Sequence, residues 1–119
     1  SYLMPKIIFK MLHFSKLIWK LIFSVPFVTL SLFGNTIVFS FAAVIYSLEK
    51  DVNPGMSNYI DALWWSFSTT STVGYGDVVP ITFWGKIMGI LLMLIGVAIF
   101  GIYTALFARV IIDDEVYME

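Results

Sequence analysis

The polar positions of this chain fall in blocks separated by long apolar stretches. Residues 21–48 carry no charged side chain, and neither do residues 87–108, which Lys86 and Arg109 bracket. Each run exceeds the ~20 helical residues that cross ~30 Å of hydrocarbon, so two spanning helices are expected. The first should begin near Val25, because Ser24 can cap a helix and Pro26 can sit in its first turn without losing a hydrogen bond. The first run is too long for the apolar core of a cleaved leader, and no small-residue cleavage site follows it.

Ahead of the first run, Lys6, Lys10, His13, Lys16 and Lys20 share one side of a helix, while Ile7, Ile8, Met11, Leu12, Phe14, Ile18 and Trp19 take the other. Phe9 and Leu17 blemish the pattern. An amphipathic interfacial helix over residues 1–23 follows, with its amines among anionic lipid headgroups and its apolar face in the acyl boundary. His13 on that lysine face is expected to be solvated.

Between the runs, residues 49–57, EKDVNPGMS, read as a polar outer loop turning at Asn-Pro-Gly. Asn58 can then cap a helix over residues 59–70. At ~1.5 Å per residue that helix is ~18 Å long and cannot span a bilayer, so it must be re-entrant. Irregular backbone at membrane depth survives only where protein buries it or water lines it, so the segment after this half-helix should face a cavity.

With 60% hydrophobic and 13% charged residues, the chain suits lipid as its solvent. The net charge of −1 gives no basis for a nucleic-acid partner. Cysteine is absent, which excludes disulfides, zinc-thiolate sites and thiol nucleophiles. One histidine and no carboxylate at membrane depth leave no acid-base or nucleophilic constellation, so no enzyme is expected. Four lysines precede the first span and Arg109 follows the second, against Lys50 and Lys86 between them; a multi-pass protein of the cell membrane with both termini cytoplasmic is expected. Asn35, in the middle of the first span, is expected to bond a neighbouring helix.

Residues 68–77, STTSTVGYGD, hold the candidate chemistry. In Thr72-Val73-Gly74-Tyr75-Gly76 the glycines alternate with side-chain residues. Glycine reaches positive φ without steric cost, so alternating hands along an extended strand can turn its carbonyls to one side. Four such rows about a rotation axis would form stacked oxygen rings, with the Thr72 hydroxyls innermost, that replace the hydration shell of a cation. The half-helix ends at this row, which points its negative dipole end toward an ion below.

Thr69-Thr70-Ser71-Thr72-Val73-Gly74-Tyr75-Gly76-Asp77, preceded by Leu63-Trp64-Trp65, resembles the potassium-channel signature TxxTxGYGD. The resemblance to prokaryotic two-span, pH-gated channels runs ungapped from about residue 61 to residue 112 through TFWGK and GVAIFG, and DALWW…TVGYGDVVP is similar to the pore of voltage-gated members. It implies an all-α, homotetrameric membrane protein with two transmembrane helices, a re-entrant pore helix and an extended selectivity filter. The pore domain would cover residues 24–112, with a cytoplasmic stub over residues 113–119.

By the same resemblance, Thr72, Val73, Gly74 and Tyr75 supply oxygens to permeant K+ and Gly76 closes the filter outside. Trp64 bonds Asp77 and Trp65 bonds Tyr75 in a supporting cuff, and Ser68 stands where the pH-gated channels carry a glutamate bonded to the filter aspartate. Val97, Phe100, Thr104, Ala108 and Ile112 line the cavity and gate, with Gly96 as hinge. Val79 replaces an outer tyrosine, the tail DDEVYME is acidic where those channels are basic, and no arginine-rich sensor occurs. A cytoplasmic regulatory domain beyond the C-terminus is a further expectation. The rival readings are a non-selective cation channel and a non-conducting membrane subunit.

Overall fold

The computed structural model describes residues 2–118. Among them the regular structure is helical: α1 (Leu3–Ile22), α2 (Val25–Glu49), a 3-10 turn (Pro54–Met56), α3 (Tyr59–Thr70) and α4 (Phe83–Met118). α2 and α4 are each long and apolar enough to cross a membrane.

The break between α1 and α2 falls at Phe23 and Ser24. There the Ser24 hydroxyl donates to the Leu21 carbonyl at 2.6 Å, and the Val28 N–H bonds back to the Ser24 carbonyl at 2.9 Å, restarting the helix ahead of Pro26. α4 is longer at both ends than the charge-free run 87–108. It begins at Phe83 because the Thr82 hydroxyl accepts the Gly85 N–H at 2.9 Å as an N-cap. It continues to Met118 through Asp113, Asp114 and Glu115. The expected stub is therefore helical as far as Met118, and Glu119 lies outside the described residues, as does Ser1 of the interfacial helix.

Two compact units are formed, one by residues 32–102 and the other by the residues up to Ser31 together with those from Tyr103 on. In the first, Ala42, Ile45, Met56, Ala62, Trp65 and Leu92 make a buried cluster. Apolar burial drives little helix association in lipid, whose tails are as apolar as leucine, so close approach and hydrogen bonds matter more. The fully buried Ser66 hydroxyl of α3 donates to the Val38 carbonyl of α2 at 2.8 Å, and the Tyr59 hydroxyl donates to the Phe39 carbonyl at 3.0 Å. Glycines on α4 admit their neighbours: a Cβ on Gly89 would lie 3.2 Å from the Trp65 ring, and one on Gly96 only 2.5 Å from the Thr70 carbonyl oxygen and 2.9 Å from its Cα.

In the second unit, Phe27 of α2 lies against Tyr103 and edge-on to Phe107, with ring centroids 5.1 and 6.2 Å apart. Ser31 and Tyr103 share a hydrogen bond of 2.6 Å between their hydroxyls. His13 of α1 pairs with Asp114 of α4 at 2.8 Å and stacks on Phe9, so it is not simply solvated as the lysine face suggested. Arg109 and Asp113, both exposed and 3.9 Å apart, form an ion pair of the kind worth about 0–1 kcal/mol.

Candidate functional site

The half-helix α3 is capped as its sequence predicts, the Asn58 side chain accepting the Asp61 N–H at 2.9 Å. Its buried positions, Ala62, Trp65, Ser66, Thr69 and Thr70, follow helical spacing and face its own chain. It ends where the Ser71 N–H returns to the Phe67 carbonyl and the Thr72 N–H to the Thr69 carbonyl, at 2.9 and 3.1 Å.

Beyond that point the backbone alternates. Thr72, Gly74 and Gly76 have φ of 64°, 59° and 78°. The two glycines were expected there; Thr72 was not. A β-branched residue in the left-handed region is a true outlier, costing on the order of 1–3 kcal/mol, and such strain collects at functional sites. Ser68 holds the strand from behind. Its carbonyl accepts the Gly74 N–H at 3.1 Å and its hydroxyl accepts the Tyr75 N–H at 3.2 Å. In a planar trans peptide the carbonyl opposes the N–H. The Val73 and Gly74 carbonyls therefore point away from α3. Residues 72–77 are exposed within the chain, leaving those oxygens open to whatever faces them.

Trp64 serves two partners. Its indole N–H donates to the Asp77 carboxylate at 3.0 Å, as the resemblance implied, and its ring stacks on Tyr75 at 5.7 Å and 9°. Trp65 lies on the buried face of α3 with its indole against Gly89. Within the chain, Trp64 is thus the ring that Tyr75 meets.

Glu49 and Asn53 are the site residues that sequence reasoning missed. Glu49 was read as the start of an outer loop; it is the last residue of α2 and fully buried. One carboxylate oxygen accepts from the Ile81 N–H at 2.5 Å and from the Asn53 amide at 2.9 Å; the other accepts from the Thr82 N–H at 3.0 Å and from the Thr82 hydroxyl. The Asn53 amide also donates to the Val79 carbonyl at 2.8 Å. Residues 79–82, the exit from the strand, are thereby clamped to the end of α2. Gly85 is required here, since a Cβ on it would lie 2.6 Å from Glu49. The sequence signal was slight: a carboxylate next to Lys50 looks solvated until its partners from residues 81 and 82 arrive.

Val97, Phe100, Thr104, Ala108 and Ile112 are all exposed on α4. Exposure does not single them out, because Ile90, Leu91, Met93, Leu94 and Ile102 are exposed too. Gly96 sits in an unbroken helix against the backbone of Thr70, which gives it a packing reason for being glycine.

A short half-helix, a segment of alternating backbone hand and two membrane-length helices are features of an ion-channel pore. Residues 33–113 match the family described as Ion channel, and the chain belongs to that family. It is 37% identical over 79 residues to a cyclic nucleotide-gated potassium channel of Mesorhizobium japonicum, covering 66% of this chain and 22% of the relative. It is 40% identical over 78 residues to a voltage-gated potassium channel of Aeropyrum pernix, covering 61% and 26%. Human potassium voltage-gated channel subfamily KQT member 4 is 33% identical over 90 residues, covering 71% and 13%. The match thus spans about a quarter or less of the length of these relatives. A solved voltage-gated K+ channel pore module, in a closed state in lipid membranes, aligns with a TM-score of 0.53 and 37% identity over 64% of this chain and 84% of that one. The chain is therefore a membrane protein of the potassium-channel pore family, and these relatives are ion channels, not enzymes.

Proposed function

We propose that four copies of this chain surround a fourfold axis and pass K+ passively across the cell membrane through a filter formed by Thr72, Val73, Gly74, Tyr75 and Gly76. The observation that carries this reading is the alternating backbone of residues 72–76, with Ser68 holding the N–H groups of Gly74 and Tyr75 so that carbonyls project from the opposite side. A ring of such oxygens replaces the hydration shell of a dehydrated cation, and repulsion between ions in adjacent sites drives exit. Trp64, Ser68 and Asp77 brace the strand from behind. Trp65 fixes the half-helix against α4.

In this reading residues 24–112 form the pore domain and residues 1–23 lie at the cytoplasmic interface, where Lys6, Lys10, Lys16 and Lys20 meet anionic lipids. Both termini are cytoplasmic. Val97, Phe100, Thr104, Ala108 and Ile112 line the inner cavity and its constriction. The test is a reversal-potential measurement on the purified protein in planar bilayers under opposed potassium and sodium gradients. A potential near the potassium equilibrium value is expected. A value near zero would make the pore a non-selective cation channel, and absence of current would make it a non-conducting subunit.

A further inference from the structure

Where α1 ends and α4 leaves the apolar run, residues of the second unit enclose an open cavity of about 490 Å³. Leu21 of α1, Pro26 of α2 and Leu106 of α4 line its apolar part, and Lys20, Arg109, Asp113 and Asp114 supply its charges. On α4 the lining positions 106, 109–110 and 113–114 follow one another at three- and four-residue steps, which places them on one face of the helix. An apolar turn is thus followed by a cationic one, and that by an anionic one. The two cations and two carboxylates cancel in charge.

These charges are only partly spent on one another. Arg109 Nε stands 3.9 Å from Asp113 Oδ2, too far for a hydrogen bond, so the terminal amines of its guanidinium remain for an anion. Lys20 has no carboxylate within ion-pair distance among the described residues. His13 takes Oδ1 of Asp114 at 2.8 Å and leaves Oδ2.

An anionic headgroup would find its cations here but would meet two carboxylates of its own sign one turn further on. A phosphate followed by an amine answers both. A quaternary amine has no N–H to give the carboxylates, and among the described residues no aromatic ring lines the cavity to receive one. We propose that this cavity binds one phosphatidylethanolamine-type lipid per chain, with its phosphate on Lys20 and Arg109 and its primary ammonium on Asp113 and Asp114. Its acyl chains leave along Leu21, Pro26 and Leu106. The proposal rests on the reading of α1 as lying at the cytoplasmic interface and deepens it, since at Lys20 the lipid is zwitterionic, not anionic. From the membrane outward, the order apolar, cation, anion along α4 is the order in which such a lipid meets water.

Native mass spectrometry of the purified protein, titrated with chain-matched phosphatidylethanolamine, phosphatidylglycerol or phosphatidylcholine, counts bound lipid without reference to ion flux. The parent should hold one phosphatidylethanolamine per chain about tenfold more tightly than either of the others. Asp113→Asn with Asp114→Asn should lower that affinity about tenfold and raise that for phosphatidylglycerol, since amides no longer repel an anion. Arg109→Gln should weaken both lipids alike. Asp114 also holds His13, so the exposed Asp113→Asn alone, with a loss of about threefold, serves if the double variant unfolds. Tighter binding of phosphatidylglycerol by the parent would make this an anionic-lipid site and overturn the proposal, as would equal binding of the three lipids. Phosphatidylethanolamine binding unchanged in the carboxylate variants would overturn it too. The chain has no cysteine, and one placed at Val110 that cross-links two copies would put a neighbouring chain in the cavity, with the same consequence. The expected lipid pattern from protein that passes no potassium current would count against the pore reading and leave the lipid site standing.

Discussion

Ser68 and Tyr75 are joined by a hydrogen bond of 3.2 Å from the Tyr75 N–H to the Ser68 hydroxyl, while the Ser68 carbonyl takes the N–H of the preceding residue at 3.1 Å. One residue of the half-helix thus fixes two successive peptide planes of the strand. Replacing it by alanine removes the side-chain bond alone, a loss of about 1 kcal/mol. Currents through Ser68→Ala should decay faster than the parent's during sustained opening, because the Gly74–Tyr75 peptide is freer to rotate. Decay identical to the parent's would mean that this bond does not hold the conducting form.

Gly76 has φ of 78° with open space around it, so the obstacle to a side chain there is the backbone hand alone. An L-alanine in the left-handed region costs roughly 1–2 kcal/mol. Gly76→Ala should abolish conduction or the preference for potassium over sodium, read as a shift of reversal potential, with the protein still folded by circular dichroism. Retained selectivity in that variant would remove the carbonyl-ring account of residues 72–76.

The Glu49 clamp should matter to stability before it matters to conduction. Glu49→Gln places an amide where one oxygen now faces only donors, from Ile81 or from Thr82, and a buried donor left without an acceptor costs about 1–3 kcal/mol. Asn53→Ala strands the Val79 carbonyl and should cost a similar or smaller amount. Thermal unfolding in detergent should rank parent above Asn53→Ala above Glu49→Gln. The reverse order for the two variants would show that Asn53, not the carboxylate, organises the clamp.

Val79 is half-exposed beside the strand's exit and is held by its carbonyl, so its side chain can change without disturbing that anchor. Valine offers no ring to a quaternary cation, and a favourable cation-ring contact is worth roughly 0.5–2 kcal/mol. External tetraethylammonium should block the parent weakly and Val79→Tyr at least several-fold more tightly, with reversal potentials unaltered. Blocker titrations at one potassium concentration and voltage decide it; equal block of both forms would place residue 79 away from the mouth.

Much of this protein was legible along the chain because membrane insertion is a local matter. A helix in lipid must satisfy its own backbone, so charge-free length alone marks α2 and α4, and a capped segment too short to cross marks α3. The Ser24 and Pro26 restart and the Asn58 cap are local for the same reason. Positive φ at Gly74 and Gly76 also followed from residue type, since few other side chains tolerate it. Tertiary structure alone decided how far α4 extends, because the Thr82 cap and the helical acidic tail lie outside the apolar run. It also decided that, within the chain, Trp64 stacks on Tyr75 while Trp65 packs against Gly89, because the two neighbours fall on different faces of α3. Thr72 in the left-handed region could not be read from a residue type that avoids it. Glu49 is the sharpest case. A carboxylate is buried only when several donors converge on it, and its donors come from residues 53, 81 and 82, which only the folded chain brings together.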